Sequence, residues 1–205
     1  MIAIVDYGVG NLFSLKSSLT MIGADAIVTR SAEDLRAADK IILPGVGAFE
    51  DAAKKLRATG LDAVVIEQAK AGKPLLGICL GMQLLFDRSF EYGEHKGLGL
   101  IAGDVIDMRP VIPANLKVPH IGWNALKLKK PVHPLFRYLS DGDCVYFVHS
   151  FYAANCEETT IATAEYGADL TAAVASGNVL GCQFHPENSG KVGLSILRAF
   201  CERTE

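Results

Sequence analysis

Short apolar runs alternate with amphipathic stretches along the first half of the chain. The apolar runs predict strands at residues 1–6, 26–29, 41–43 and 75–78. Apolar residues at helical spacing, or a capping residue such as Ser31, predict helices at residues 12–22, 31–38, 49–55 and 61–71. Strands that are solidly apolar and alternate with helices are typical of a parallel sheet covered on both faces. This half of the sequence therefore predicts a doubly wound α/β fold.

The second half carries mostly short strand patterns. A polar, glycine-rich loop is predicted at 93–99 and an amphipathic helix at 189–202, and the strand candidates are 104–108, 125–128, 143–148, 161–165, 172–175 and 179–184. Ser176-Gly177-Asn178 predicts a turn that joins the last two strands as a hairpin. We find no linker, repeat or low-complexity segment, so the sequence predicts one domain over residues 1–205.

Composition and charge narrow the classes of function. Half of the 205 residues are hydrophobic, and the formal net charge is −3. This charge gives no reason to expect a nucleic acid or an anionic membrane as partner. No apolar run reaches the roughly 18 residues of a membrane span, and the N-terminus has no basic region followed by a cleavable apolar one. We therefore expect a cytoplasmic protein.

The sequence predicts neither a metal site nor a bound cofactor. Its five cysteines include no C-x-x-C pair, and its five histidines show no ligand spacing. Gly8-x-Gly10 follows the first strand, as in dinucleotide-binding turns, but Phe13 stands where that motif requires glycine. A nucleotide cofactor is therefore not expected.

Gly77-Ile78-Cys79-Leu80-Gly81 lies where the predicted strand 75–78 passes into a helix predicted to start over residues 80–87. Gly-x-nucleophile-x-Gly is the pattern of a nucleophile elbow, a sharp turn that the glycines permit because they have no Cβ. A thiol at the start of a helix has its thiolate form favoured by the positive end of the helix dipole. A buried structural cysteine is the alternative, but the flanking glycines favour a nucleophile at Cys79.

His185 and Glu187 provide partners for such a nucleophile. They follow the last predicted strand, and the carboxyl ends of parallel strands gather in one crevice. An imidazole beside Cys79 would act first as base and then as acid for a leaving amine. Glu187 can accept the other ring N–H and fix the orientation of the imidazole. His149 has no carboxylate two residues later, so we interpret it as structural or substrate-lining.

Attack of a thiolate on an amide produces an oxyanion that needs donors, each worth about 2.7–4 kcal/mol of barrier height. The backbone N–H of Leu80 is one candidate, since it follows the nucleophile. The turn Pro44-Gly45-Val46-Gly47 is the other, because its glycines permit unusual backbone angles. We expect Val46 and Gly47 to supply this second donor.

Together these segments resemble the class I glutamine amidotransferases, whose triad is Cys-His-Glu. The resemblance rests on residues 5–11 (VDYGVGN), 43–49 (LPGVGAF), 77–86 (GICLGMQLLF), 119–124 (PHIGWN), 146–151 (YFVHSF) and 183–189 (QFHPENS). These segments span nearly the whole chain in family order. The first segment and Gly122-Trp123-Asn124 are most similar to one branch, the glutaminase subunits of imidazole glycerol phosphate synthases. Asn188 and Phe151 depart from that branch, in which Lys and Tyr are frequent at these positions.

The resemblance implies a flavodoxin-like open sheet, mainly parallel at its centre, with antiparallel C-terminal strands and helices on both faces. It also implies glutamine as substrate, hydrolysed through a thioester at Cys79, with the ammonia passed to a separate (β/α)8-barrel cyclase subunit in a heterodimer. By the same resemblance, glutamine is bound by Gly47, Gln83, Glu91, Ser150 and Phe151. The partner interface and ammonia passage would involve Asn11, Trp123, Tyr146, Asn188 and Ser189. Trp123, the single tryptophan, is predicted in a loop.

Three other functions stay open from the sequence. Another amidotransferase of the same class would supply ammonia for anthranilate, aminodeoxychorismate or purine synthesis. A cysteine hydrolase or peptidase would accept other amides and need no partner. A binding protein without activity would keep the elbow as part of its scaffold.

Overall fold

Helices and strands alternate in the first half of the molecule, and strands dominate the second half. The computed structural model describes residues 1–202. The helices are α1 Leu12–Met21, α2 Ala32–Ala37, α3 Phe49–Ala58, α4 Leu61–Lys70, α5 Leu80–Leu84 and α6 Gly190–Glu202. The strands are β1 Ile2–Val5, β2 Ala26–Thr29, β3 Lys40–Gly45, β4 Leu75–Cys79, β5 Phe86–Ser89, β6 His95–Lys96, β7 Ile101–Asp107, β8 His120–Leu128, β9 Cys144–His149, β10 Phe151–Ala154, β11 Thr160–Glu165, β12 Asp169–Ser176 and β13 Val179–Cys182.

Within residues 1–202, nine strands form one sheet in the order β2-β1-β3-β4-β13-β12-β11-β8-β9. The strands from β2 to β13 are parallel to one another. Those from β13 to β9 pair antiparallel. The predicted sheet, parallel at its centre with antiparallel C-terminal strands, is confirmed. β4 and β13, which carry Cys79 and lead to His185, are direct neighbours in this sheet.

The core lies on both faces of the sheet. Along β1, Ala3 and Val5 pack into a cluster with side chains of α2, α3 and α4. Ile2 and Ile4 point the other way, into a cluster with side chains of α1 and α6. Because successive side chains of a strand alternate between faces, apolar residues at all four positions require helices on both sides.

A helix cap and a hairpin turn occur where the sequence predicts them. The Ser31 hydroxyl accepts a hydrogen bond from the backbone N–H of Asp34 and caps α2. Ser176 pairs with Val179 across a two-residue turn, which confirms the predicted hairpin. The Asn178 side chain holds this turn by donating to the carbonyl groups of Ala69 and Lys73.

A second sheet was not predicted. It has the order β10-β7-β5-β6 among the described residues. The helix predicted to start at Leu80 and continue to Asp87 ends at Leu84, and Phe86 begins strand β5 instead. Phe86 and Ser89 are fully buried, so burial and pairing with β7 outweigh the helical pattern of the sequence. Part of the predicted 93–99 loop also pairs, as β6.

The prediction that Trp123 lies in a loop is also wrong. Trp123 lies in β8, where it pairs with Tyr146 of β9 at the edge of the large sheet. A strand with one face exposed, such as β8 beside the edge strand β9, can carry alternating polar and apolar residues, which is a weak pattern in a short window. Trp123 is 59% exposed on this edge.

Residues 1–202 contain no helix of the length and apolarity that crossing a membrane requires. In the same part of the chain, His, Cys, Asp and Glu side chains form no group of three or more that could hold a metal ion.

Candidate active site

Cys79 ends β4 and immediately precedes α5. Its backbone has φ 53° and ψ −113°, a strained conformation for a residue with a side chain. Gly81 makes the turn possible, since a Cβ at this position would lie 1.9 Å from the carbonyl oxygen of Leu43 in β3. Gly77 is equally constrained, because a Cβ there would lie 2.7 Å from the Gly81 carbonyl oxygen. Both glycines of the predicted elbow therefore lie where the backbone packs too closely for a larger residue.

His185, placed by β13, contacts Cys79. Both side chains line one cavity, where the imidazole interacts with the sulfur, although 106 positions separate the two residues. His185 Nδ1 lies 2.8 Å from Glu187 Oε1, and both side chains are buried. The backbone N–H of His185 donates to the carbonyl oxygen of Tyr146 on β9. The structure thus brings together the three side chains that the sequence predicted would meet.

The surroundings of His185 favour its protonated form. Burial disfavours the charge, but the hydrogen bonds and negative charges of Cys79 and Glu187 outweigh it and raise the pKa of His185 to about 10. A charged imidazole between a sulfur and a carboxylate is ready to give a proton to a leaving group.

A cavity of about 300 Å³ opens at Cys79. This is at the lower end of volumes that hold small molecules. Its wall is formed by Val46, Gly47, Cys79, Leu80, Gln83, Glu91, Pro119, Val148, His149, Ser150, Phe151 and His185. All residues predicted to bind glutamine or to form the oxyanion site are among them. His149 also lines the cavity, in agreement with its interpretation as structural or substrate-lining.

The turn after β3 lies beside the elbow. Gly47 has φ 90°, which favours glycine. A Cβ on Gly45 would lie 2.6 Å from the Gly81 backbone nitrogen, so this glycine is required by close packing. The turn and the elbow are therefore in contact, with Val46 and Gly47 facing the cavity beside Leu80.

Tyr7 anchors this turn, a contact that the sequence did not reveal. Its hydroxyl donates a 2.8 Å hydrogen bond to the Pro44 carbonyl and is buried. Burial, and then the charge of Cys79, raise the pKa of Tyr7 above its usual range. The hydroxyl therefore stays protonated and keeps donating.

Glu91 and Gln83 are held by backbone contacts on the cavity wall. Glu91 Oε2 accepts from the first N–H of α3, at Phe49, over 2.7 Å. Gln83 Nε2 donates to the Phe151 carbonyl over 3.1 Å. These contacts fix the two side chains before any substrate binds, which lowers the entropy cost of binding.

The residues predicted at the partner interface differ in how exposed they are. Trp123 and Tyr146 are edge-to-face neighbours with ring centroids 6.1 Å apart. Asn188 is exposed, and Asn11 precedes α1 without capping it through its side chain. Ser189, which was predicted at the interface or the ammonia passage, is 1% exposed. Its hydroxyl donates to the His185 carbonyl and accepts from the Tyr146 N–H, so it supports the backbone of His185.

Comparisons with known proteins agree with this geometry. The family model described as glutamine amidotransferase class-I matches residues 3–203. The chain is 50% identical over 207 residues to "Imidazole glycerol phosphate synthase subunit HisH" of Lacticaseibacillus casei, covering 100% of this chain and 97% of the relative. It is 49% identical over 203 residues to the protein of the same name in Methanosarcina acetivorans, covering 98% of each. A crystal structure described as a glutamine amidotransferase superposes with a TM-score of 0.76 at 23% identity, covering 98% of each chain. The chain therefore belongs to the class-I glutamine amidotransferase family.

Proposed function

We propose that this chain is the cytoplasmic glutaminase subunit of an imidazole glycerol phosphate synthase. It hydrolyses glutamine and delivers ammonia to a (β/α)8-barrel cyclase subunit, with which it forms a heterodimer. The cyclase makes imidazole glycerol phosphate and aminoimidazole carboxamide ribonucleotide, a step of histidine biosynthesis. The observation that carries the proposal is the contact of Cys79 with His185 and of His185 with Glu187, at a cavity of suitable size. The full-length similarity to proteins named for this synthase supports the choice of pathway.

The reaction proceeds through a thioester at Cys79. The thiolate attacks the side-chain amide carbon of glutamine and forms a C–S bond, while the carbonyl π electrons move to oxygen. His185 then gives its proton to the amide nitrogen, the C–N bond breaks and ammonia leaves. Water attacks the thioester with His185 as base, which releases glutamate and restores the thiolate. Glu187 holds the imidazole in position throughout.

Backbone donors stabilise the tetrahedral oxyanion. The Leu80 N–H lies at the start of α5, and Val46 and Gly47 line the cavity beside it. The substrate is held by residues that line the same cavity, namely Gly47, Gln83, Glu91, Ser150 and Phe151. In this proposal the carboxamide of glutamine lies between the sulfur and the turn.

The partner binds the edge of the large sheet that carries Trp123. Trp123 and Tyr146 form an aromatic pair on this edge, and the Tyr146 N–H donates to Ser189, which directly follows exposed Asn188. Exposed tryptophan and tyrosine side chains frequently carry the binding energy of protein interfaces. Ammonia released at Cys79 leaves past this edge to the cyclase.

Replacing Cys79 by Ala tests the nucleophile. In the complex with the cyclase, we expect Cys79→Ala to abolish glutamine-dependent synthesis while ammonia-dependent synthesis continues at its normal rate. Cys144→Ala, at an exposed cysteine away from the cavity, is the matched control and should retain both activities. Glutamine-dependent turnover in the Cys79→Ala complex would mean that another residue is the nucleophile.

Co-purification with the candidate cyclase tests the partner. We expect a 1:1 complex whose glutaminase activity rises when the cyclase binds its nucleotide ligand, with little activity in the isolated chain. Capture of a chorismate-using enzyme instead would favour another amidotransferase of the class. Hydrolysis of varied amides without a partner would favour a general cysteine hydrolase.

A further inference from the structure

A buried chain of hydrogen bonds runs behind the cavity from β8 to Cys79. Its side chains are those of His120, His149, Gln83 and Gln183, all of them buried. His120 and Gln183 are absent from the cavity wall. Buried polar groups are stable only when their donors and acceptors are matched, so the direction of each bond can be worked out.

The two imidazoles have fixed tautomers. His149 Nδ1 lies 2.9 Å from the Phe151 carbonyl, which can only accept, so this nitrogen carries a hydrogen. His149 Nε2 is then an acceptor, and His120 Nδ1, 3.1 Å away, must donate to it. His120 Nε2 in turn faces the Asn124 amide at 3.4 Å. Burial lowers the pKa of both histidines to about 4, so both are neutral at pH 7, as this pattern requires.

The two glutamines continue the chain to the nucleophile. Gln83 Nε2 donates to the Phe151 carbonyl and to Gln183 Oε1, at 3.1 and 3.0 Å. Both of its amide hydrogens are therefore used, and its own carbonyl oxygen is the group left to accept from a ligand in the cavity. Gln183 Nε2 donates to Cys79 Sγ over 3.7 Å. The Phe151 carbonyl receives two donors, one for each lone pair.

We propose that His120 and Gln183 are positioning residues for glutamine hydrolysis. His120 acts through His149, and Gln183 acts through Gln83 and through its own bond to Cys79. His120 holds His149 against the Phe151 carbonyl and thereby fixes the Ser150-Phe151 segment of the cavity wall. By accepting from the Gln83 NH2 group, Gln183 leaves the Gln83 carbonyl oxygen to point to the substrate. Its own NH2 group orients the Cys79 sulfur. This inference rests on the proposed glutaminase function and extends it to two residues outside the cavity.

His120→Phe tests the histidine end of the chain in the complex with the cyclase. Phenylalanine keeps a ring between Phe147 and Tyr166, on which His120 stacks, but has no N–H for His149. We expect KM for glutamine to rise about tenfold, the usual scale of a lost buried hydrogen bond, with kcat within about threefold of wild type. His120→Asn restores an amide N–H near the Nδ1 position and should recover most of the loss.

Two substitutions test Gln183. Gln183→Glu keeps an acceptor for Gln83 but has no N–H for the sulfur, so kcat should fall about tenfold with a smaller change in KM. Gln183→Leu removes both contacts, so kcat should fall and KM should rise together. A role limited to stability would give the same change for both substitutions and no split between kcat and KM.

Thr160→Val is the matched control. It removes another buried hydrogen bond, from the Thr160 hydroxyl to the Cys156 carbonyl, away from the cavity, and should leave KM and kcat unchanged. Ammonia-dependent synthesis should continue in every variant.

If His120→Phe and Gln183→Leu both keep the wild-type KM and kcat while Cys79→Ala is inactive, the positioning roles are rejected and the proposed glutaminase function still stands. An active Cys79→Ala complex would instead reject the proposed function. If His120→Phe does not fold, the inference is tested by whether Gln183→Glu and Gln183→Leu change kcat and KM differently.

Discussion

Glu187 shows how one buried carboxylate acts on the whole site. It accepts from His185 Nδ1, and both the hydrogen bond and the charge help to keep the pKa of His185 high. Its other oxygen, Oε2, is buried without a hydrogen-bond partner among residues 1–202. A carboxylate held in this way stabilises the imidazolium strongly, because little else competes for its charge.

Glu187→Gln should therefore impair catalysis with little effect on substrate binding. An amide cannot stabilise the imidazolium, and its N–H can donate to His185 Nδ1 and favour the wrong tautomer, so we expect kcat to fall about 10²- to 10⁴-fold. KM should stay near wild type, because Glu187 is absent from the cavity wall. Steady-state kinetics of the complex measure both, with Glu158→Gln, at an exposed position, as control. A normal kcat would remove Glu187 from the mechanism.

The His120–His149 pair should make stability sensitive to acid. Each pKa is lowered to about 4 in the folded chain, mainly by burial, against about 6.5 when unfolded. Between these values the unfolded chain binds more protons, so the free energy of unfolding falls as pH falls from 6.5 to 4. In His120→Phe one titrating group is gone, and this slope should decrease by up to about 1.4 kcal/mol per pH unit.

Denaturant unfolding at several pH values measures this effect. The difference between wild type and His120→Phe at pH 7.5, where both histidines are neutral, serves as the reference. An identical slope in the two proteins would show that His120 has the same pKa in the folded and the unfolded chain.

At the scale of elements, the elbow depends on contact between two neighbouring strands. β3 and β4 pair in parallel up to Gly45 and Cys79, and the start of α5 lies directly on the end of β3. The glycines at this crossing leave no room for a methyl group. The strained backbone of Cys79 is therefore maintained by tertiary packing, as strained residues at functional sites must be.

Gly81→Ala should displace the elbow. The added Cβ would overlap the Leu43 carbonyl, which is backbone and cannot rotate away. Overpacking of this kind typically costs about 1–3 kcal/mol or more, and we expect glutaminase activity to be lost in any protein that folds. Gly23→Ala has open space around the new methyl group and only a positive φ to accommodate. Calorimetry and a glutaminase assay should show that this control is mildly destabilised but active.

The sequence predicted elements whose signals are local. The Ser31 cap, the 176–178 turn and the Gly-x-Cys-x-Gly elbow each occupy a few adjacent residues. β5 was missed because the strand conformation of Phe86 depends on pairing with β7, which no local pattern reveals. The supporting contacts of the site were missed for the same reason. Tyr7 reaches Pro44 across 37 positions, and Gln183 reaches Cys79 across 104. The single domain expected over residues 1–205 stays a prediction.

At the scale of the whole molecule, the aromatic pair of exposed Trp123 on β8 and half-buried Tyr146 on β9 should govern assembly. We expect Trp123→Ala to weaken binding to the cyclase by about 2 kcal/mol or more, roughly 30-fold in Kd. Titration calorimetry with the purified subunits measures this. Tyr138→Ala removes a half-exposed aromatic residue beside Glu202 at the end of α6 and should leave Kd unchanged. Equal affinity of wild type and Trp123→Ala would place the interface elsewhere.

The adjacency of β4 and β13 has a consequence for synthesis on the ribosome. The strand that bears the thiol is made early, but the strand beside it is the last of the sheet to emerge. Until then the nascent polypeptide holds a sulfur without its imidazole and a sheet open at its middle. Hydrolysis of glutamine through Cys79 therefore cannot begin before β13 has joined the sheet and brought His185 to the sulfur.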